Sequence, residues 1–299
     1  MNAPLLNEYK TFREKKIGFY EQKRGLIAVS GKESVQFLNG LITNDISKLE
    51  DGAVPMLAAF PNAQGRLVAL VRVVRRSGEF LFETEAATRA KVFQNLFHFT
   101  FAGDFFVRDL SDDYKYFEVQ TQNSKVQSPH AMVFQTQNGA DYFVPKEAAE
   151  DFKNKLKENG AVEISEALYE VLRVENGAPK YKVDADETTI VPELGIDDLI
   201  SYNKGCYIGQ EIIARIHFRG HVAKVLTGLI FEAENAVVNP NDEIKSPDGK
   251  NAGRITSVAF SPTLEKTIAL AYVRYEFLKA GTQLKVNDSA ATVKDLPFV

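Results

Sequence analysis

One thiol is present in the whole chain. Cys206 is the single cysteine among 299 residues, and it sits in Lys204-Gly205-Cys206-Tyr207-Ile208-Gly209-Gln210-Glu211. Apolar spacing resumes at Ile212, Ile213 and Ile216, which predicts a short amphipathic helix starting near Gly209. Gln210 and Glu211 then fall in its first turn, where backbone N–H groups lack partners and negative charge is favoured. Cys206 precedes that helix start, and Lys204 stands two residues upstream. Both features favour thiolate over thiol, so Cys206 with Lys204 is a candidate reactive centre. Gly205 and Gly209 allow a sharp turn or a close backbone approach. The competing reading is a buried, inert cysteine in a tight turn.

Other reactive residue types are scarce. The four histidines are His98, His130, His217 and His221. His217 and His221 have the four-residue spacing that zinc sites use, but Gly220 interrupts the helix and no acidic third ligand stands nearby. No metal site is predicted. A lone cysteine excludes an intramolecular disulfide and cannot hold an iron–sulfur cluster by itself, because such clusters take four ligands. Net charge is −4 and the pI about 5.7, which argues against a general nucleic-acid surface. Arg72, Arg75 and Arg76 form a small basic cluster, read as charges at a strand end. Hydrophobic residues at 44% and 21 phenylalanines supply real cores, and the length suits one large or two to three smaller domains. Met1 to Lys16 lacks a signal-peptide core, and no window has the apolar length of a membrane span. A soluble protein of the bacterial cytoplasm or of an organelle matrix is expected.

The elements that must position Cys206 follow from the pattern. Leu26 to Ser30 reads as a strand, followed by a helix that Ser30 and Glu33 would cap reciprocally. Met56–Phe60 and Arg66–Arg75 read as a hairpin across Pro61–Gly65, the second strand buried on both faces. Phe80–Glu83 is a strand, and Ala86–Phe99 a helix with an aromatic stripe facing the core. Phe105–Val107, Tyr116–Gln120 and Tyr142–Val144 are strands, with polar surface loops over 120–139. Pro145 opens a helix to Lys157, and Ser165 caps Glu166–Glu175. From Val225 short strands recur (226–231, 243–245, 253–260, 267–273 and 283–286), predicting a small all-β barrel.

The octapeptide around Cys206, continued by Ala214-Arg215 and Phe218-Arg219-Gly220-His221, resembles the signature of the YgfZ family. These are folate-binding proteins related to the T-protein (aminomethyltransferase) of the glycine cleavage system. Four further stretches resemble T-proteins: the opening run from Val29-Ser30-Gly31 through a short helix to the Thr43-Asn44-Asp45 turn, Leu172–Gly177, "V-P-E-L-G" at 191–195, and Gly253–Val273. The resemblance covers about residues 26 to 286. It implies an α+β fold, with T-protein-like, ferredoxin-like α/β subdomains forming a folate pocket and a small C-terminal antiparallel β-barrel. The expected division is 1–224 for the folate-binding region and 225–299 for the barrel.

The same resemblance implies roles. Glu175 would accept hydrogen bonds from the 2-amino and ring N–H groups of the pterin, since a carboxylate presents two acceptors side by side. Tyr169 and Arg173, on the same helix, would contact the folate. Arg215 and Arg219 would face the glutamate tail of tetrahydrofolate or a folate derivative. Gly205, Tyr207, Gly209, Gln210 and Glu211 complete the motif. One departure stands out: T-proteins carry a catalytic acidic pair on the strand after the Gln64-Gly65 turn, where this chain has Ala69 and Leu70. The implied function is folate binding that assists iron–sulfur cluster assembly or repair, and thereby tRNA modification, through Cys206. Iron–sulfur proteins or their assembly factors are the implied partners, with no direct nucleic-acid or membrane contact. Folate-dependent aminomethyl transfer or demethylation, and an interaction module that has lost its ligand, are the alternatives.

Overall fold

The computed structural model describes residues 1–98, 100–101, 103–121, 130–136, 139–233 and 236–299. Half of the expected polar segment between 120 and 139 (residues 122–129 and 137–138), and Phe99 at the end of the expected Ala86–Phe99 helix, lie outside the described residues. The N-terminal helix α1 (Ala3–Lys15) leads into β1 (Ile17–Gln22) and β2 (Arg24–Ser30), then α2 (Ser34–Leu41). β3 (Met56–Pro61), β4 (Leu67–Arg76) and β5 (Glu79–Glu85) precede α3 (Arg89–Phe97), β6 (Phe106–Asp109) and β7 (Tyr114–Thr121). β8 (Met132–Thr136), β9 (Gly139–Pro145), α4 (Ala149–Glu158), β10 (Val162–Glu163), α5 (Glu166–Glu175) and α6 (Gln210–Arg219) follow. Six strands close the chain: β11 (Lys224–Phe231), β12 (Glu243–Lys245), β13 (Asn251–Ser261), β14 (Lys266–Arg274), β15 (Gln283–Val286) and β16 (Ser289–Lys294).

Two compact units result, each discontinuous in sequence. One comprises Lys10–Ser165 with Asp197–Gln210. Its sheets have the orders β10-β1-β7-β9-β8 and β3-β4-β5-β2-β6. The two sheets face each other through Leu26, Ala28, Val74 and Leu81 on one side and Tyr116, Phe134 and Phe143 on the other. On their outer faces, α2 and α3 cover the second sheet through Leu38, Leu41, Val92 and Leu96, and α4 covers the first through Phe152 and Leu156. Each sheet thus buries both faces, an α–β–β–α layering.

The other unit comprises Met1–Tyr9, Glu166–Ile196 and Glu211–Val299. Its six strands form a closed barrel in the order β11-β14-β13-β12-β15-β16. Leu229, Phe231, Ile244, Ile255 and Val286 fill the interior. Val174 of α5 packs on the outer wall with Leu226, Ile268, Leu270 and Phe298.

Several expectations are corrected. β4 buries Leu67, Ala69, Val71 and Val73 on one face, while on the other Val74 is buried and Val68, Leu70 and Arg72 are half-buried, so both faces are covered but unequally. Glu33 does not complete a capping box with Ser30, because its carboxylate accepts the Asp104 N–H at 2.6 Å. In α3 only Val92 and Leu96 are buried, while Phe93 stacks on Phe97, whose ring reaches solvent. Pro145 ends β9 and also caps the 3-10 turn Lys146–Ala148, which runs straight into α4, so the helix opened at Pro145 is present with a tighter first turn. The barrel has a sixth strand, β16, which pairs with both β11 and β15.

Candidate functional site

The segment carrying Cys206 is bound to the turn after α2. Thr43 Oγ1 donates to the Leu199 carbonyl at 2.7 Å and accepts the Ala59 N–H at 2.9 Å. Asn44 Nδ2 donates to the carbonyls of Leu57 at 2.9 Å and Asp198 at 2.7 Å. The Ser201 N–H reaches the Thr43 carbonyl at 3.0 Å, and the Ile208 N–H reaches Gly40 at 3.0 Å. Lys204 adds the charged contact, its Nζ donating to the carbonyls of Ile42 at 2.8 Å and Asn44 at 2.7 Å. Burial pulls the Lys204 ammonium down to about 8, opposed by the charge of Asp45. A half-buried ammonium needs acceptors, and here the backbone of the 42–44 turn supplies them.

Gly209 locks the far end. Its φ is +79°, and a Cβ there would stand 2.3 Å from the Asn62 carbonyl oxygen in the β3–β4 turn. Only glycine allows that approach. Gln210 turns its amide oxygen back to the Tyr207 N–H at 3.3 Å. Tyr207 is buried, its phenol pushed up to about 12 by that burial. Gly205 and Cys206 are exposed. The thiol is therefore solvent-accessible on a segment tied down before and after it, and α6 begins four residues later. On β4, Ala69 is fully buried and Leu70 half-buried.

In the other unit, Glu175 ends α5 and is 1% exposed. Tyr9 Oη donates to its two carboxylate oxygens at 3.0 and 3.1 Å, and Ser261 Oγ donates to Oε1 at 2.5 Å. Thr263 Oγ1 lies 2.5 Å from Tyr9 Oη. A phenol has one proton, so with that proton on Glu175 the Thr263 hydroxyl donates to Tyr9. Tyr169 is half-buried; helix geometry sets it about 9 Å along the axis and about 120° around from Glu175. Arg173 is buried and donates to Glu170 at 2.9 Å, the Ala178 carbonyl and Asp184 at 2.7 Å, and Ser257 at 2.9 Å. Arg215, Arg219 and Glu211 are exposed on α6. Among the described residues no cluster of three or more His, Cys, Asp or Glu side chains could hold a metal ion, and no helix is long and apolar enough to cross a membrane.

Sequence reasoning overlooked Tyr9, Thr43, Asn44, Ser261 and Thr263 as partners of the motif residues. Thr43-Asn44 and Ser261 stood out only as parts of family-like stretches, and what they bind was hidden because their partners lie far away in sequence. It also overlooked a polar network between the two facing sheets. Arg72 on β4 bonds Glu83 at 2.6 Å and Tyr116 Oη at 2.9 Å, and pairs with Asp141; Arg24 also pairs with Glu83. Glu118 stands directly across from Asp141 on the β7–β9 ladder. Burial, then the charge of Asp141, pushes Glu118 up to about 7. Burial likewise raises Asp141 against the pull of Arg72, and its Oδ1 is buried without a hydrogen-bond partner among the described residues.

Comparison with known proteins places this architecture. Residues 1–126 match the GCVT N-terminal domain, and residues 224–299 match the glycine cleavage T-protein C-terminal barrel domain. An aminomethyltransferase of Thermoanaerobacter pseudethanolicus is 25% identical over 94% of this chain and 84% of its own length. A mitochondrial iron–sulfur cluster assembly factor IBA57 homolog of Mycosarcoma maydis is 26% identical over 70% of this chain and 55% of its own length. The crystal structure of the glycine cleavage system aminomethyltransferase T from Bartonella henselae superposes with a TM-score of 0.88, covering 99% of this chain and 89% of that one at 18% identity. Together these findings lead to one conclusion: the chain combines a GCVT N-terminal domain with a glycine cleavage T-protein C-terminal barrel domain, and it shares the aminomethyltransferase T fold over nearly its whole length.

Proposed function

We propose that this chain is a folate-binding protein of the YgfZ type, which assists iron–sulfur cluster assembly or repair and thereby tRNA modification by cluster-dependent enzymes. The observation that carries this reading is an exchange of chemistry. β4 offers Ala69 and Leu70 where aminomethyl transfer would draw on carboxylates, while the only thiol stands exposed on a segment fixed by Thr43, Asn44 and Lys204. A single thiolate supplies one cluster ligand of four, which suits transient contact with a cluster or its carrier better than permanent holding. The relative named as an iron–sulfur assembly factor supports the same direction.

Glu175 is the proposed pterin acceptor, and its surroundings fit that role. Its two oxygens already take hydroxyl donors side by side, and N–H donors on one edge of a pterin have the same requirement. Binding there would exchange the Tyr9 phenol for the ligand. Tyr169, about 9 Å along α5 and about 120° around from Glu175, would offer a flat ring to a part of the ligand away from that edge. Folate, when bound, would contribute its one-carbon and redox chemistry; the chain's own part is to hold the pterin edge at Glu175.

The relatives named aminomethyltransferase favour a second reading, folate-dependent aminomethyl transfer. Without an acid/base group at 69–70, that reaction lacks its expected proton carrier. The test is complementation of a strain lacking this chain, read as activity of a cluster-dependent enzyme. Restoration by the unmodified protein but not by Cys206→Ser is expected. Full restoration by Cys206→Ser would remove the thiol from the function. Glycine cleavage turnover clearly above background would support the second reading instead.

A further inference from the structure

α6 is ten residues long, and Ile213 is its only buried residue. Helices this short are marginal in water, and most of their stability comes from packing an apolar face. At about 100° per residue, Ile213 points away from a sector of about 160° made by Glu211, Ile212, Ala214, Arg215, Phe218 and Arg219. Those six residues line one groove of about 590 Å³. Phe218 is 68% exposed and Ile212 37%. Scattered apolar residues on a surface are ordinary, but here two of them share one helix face with two guanidinium groups.

The charge of this face runs against that of the chain. Net charge is −4, yet this face carries the two guanidinium groups of Arg215 and Arg219 against the single carboxylate of Glu211. Among the described residues neither Arg215 nor Arg219 is drawn into an ion pair. The two lie one helical turn apart, the spacing that meets carboxylates three or four residues apart on a facing helix. Exposed aromatic and arginine side chains grouped on one patch are also the residue types that dominate interface energetics.

We propose that this face of α6 is a docking surface for an acidic protein partner, one that sets an apolar side chain between carboxylates. The apolar anchor meets Phe218 and Ile212, and the carboxylates meet Arg215 and Arg219. The inference is independent of folate binding at Glu175.

The experiment places the photo-crosslinker p-benzoylphenylalanine at position 218 of the full-length protein in its own cells. Cross-linked peptides are identified by mass spectrometry, and the partner found is purified and titrated. The expected result is a cross-linked segment of net negative charge. Its affinity should fall at least about tenfold in the Arg215→Glu/Arg219→Glu variant, and again as salt rises from about 50 to about 300 mM. Thermal unfolding of the double variant should match that of the unmodified protein, since both sites are exposed. Four outcomes overturn the inference: no cross-link, a cross-link only to a second copy of this chain, a neutral or basic partner segment, or an affinity insensitive to the charge reversal. So does a double variant that keeps the partner but loses a preference for pentaglutamyl over monoglutamyl tetrahydrofolate, because the face would then be a ligand rim.

Discussion

Lys204 and Glu118 are both held away from their ordinary ionisation, and they tilt stability in opposite directions with pH. Lys204 titrates near 8 in the folded chain and near 10.5 when unfolded. Between those values the unfolded chain binds more protons, so this residue's contribution rises with pH. Glu118 titrates near 7 folded and near 4.5 unfolded. Its contribution is fully present below about 4.5 and is lost as pH climbs through about 7. Glu118→Gln, which cannot ionise, should therefore gain on the unmodified protein across that window. The expected gain is on the order of 1–2 kcal/mol, less than the full shift implies, because the carboxyl is only half-buried and part of its shift comes from the charge of Asp141. Urea unfolding at pH 5 and pH 8 reads this directly, and an equal difference at both pH values would show that Glu118 is ionised throughout. Lys204→Met should lose about 2 kcal/mol near pH 7, the worth of charged hydrogen bonds to two carbonyls left without donors.

The elements differ in how plainly the sequence announced them. α5 has the predicted bounds, because Ser165, its apolar spacing and Gly177 all point to one helix. α6 was equally legible, with Gly209 before it and Gly220 after it. β16 was not: Ser-Ala-Ala-Thr-Val-Lys has little strand character, and it is a strand because an open barrel edge between β11 and β15 must be paired. The Ser30–Glu33 box failed for a similar reason, since a distant N–H at Asp104 captured the carboxylate. The fastening of the Cys206 segment belongs to the same class, for Thr43 and Asn44 reach residues more than 150 positions away. That fastening predicts two losses. Gly209→Ala should cost more than about 2 kcal/mol, because the Asn62 backbone it would strike cannot rotate aside. Asn44→Ala should cost about 1–3 kcal/mol and speed amide exchange over 197–208 while leaving the barrel unchanged. Unaltered exchange in that segment would mean that the 42–44 turn does not hold it.

For the molecule as a whole, the fold was readable from stretches scattered along the chain, and two family domains account for most of it. The site was readable only in part. Cys206 and Glu175 announced themselves by type and context, but their surroundings are built from residues remote in sequence: Thr43 and Asn44 for the thiol's segment, Tyr9 and Ser261 for the carboxylate. Those surroundings differ, a buried carboxylate among hydroxyl donors and an exposed thiol, and the proposed function gives them separate roles. Calorimetric titration with tetrahydrofolate of the unmodified protein, Glu175→Gln and Cys206→Ala distinguishes them. Binding by the unmodified protein and by Cys206→Ala, with loss of at least about tenfold in Glu175→Gln, is the predicted pattern. Absence of binding to the unmodified protein, or undiminished binding by Glu175→Gln, would contradict it.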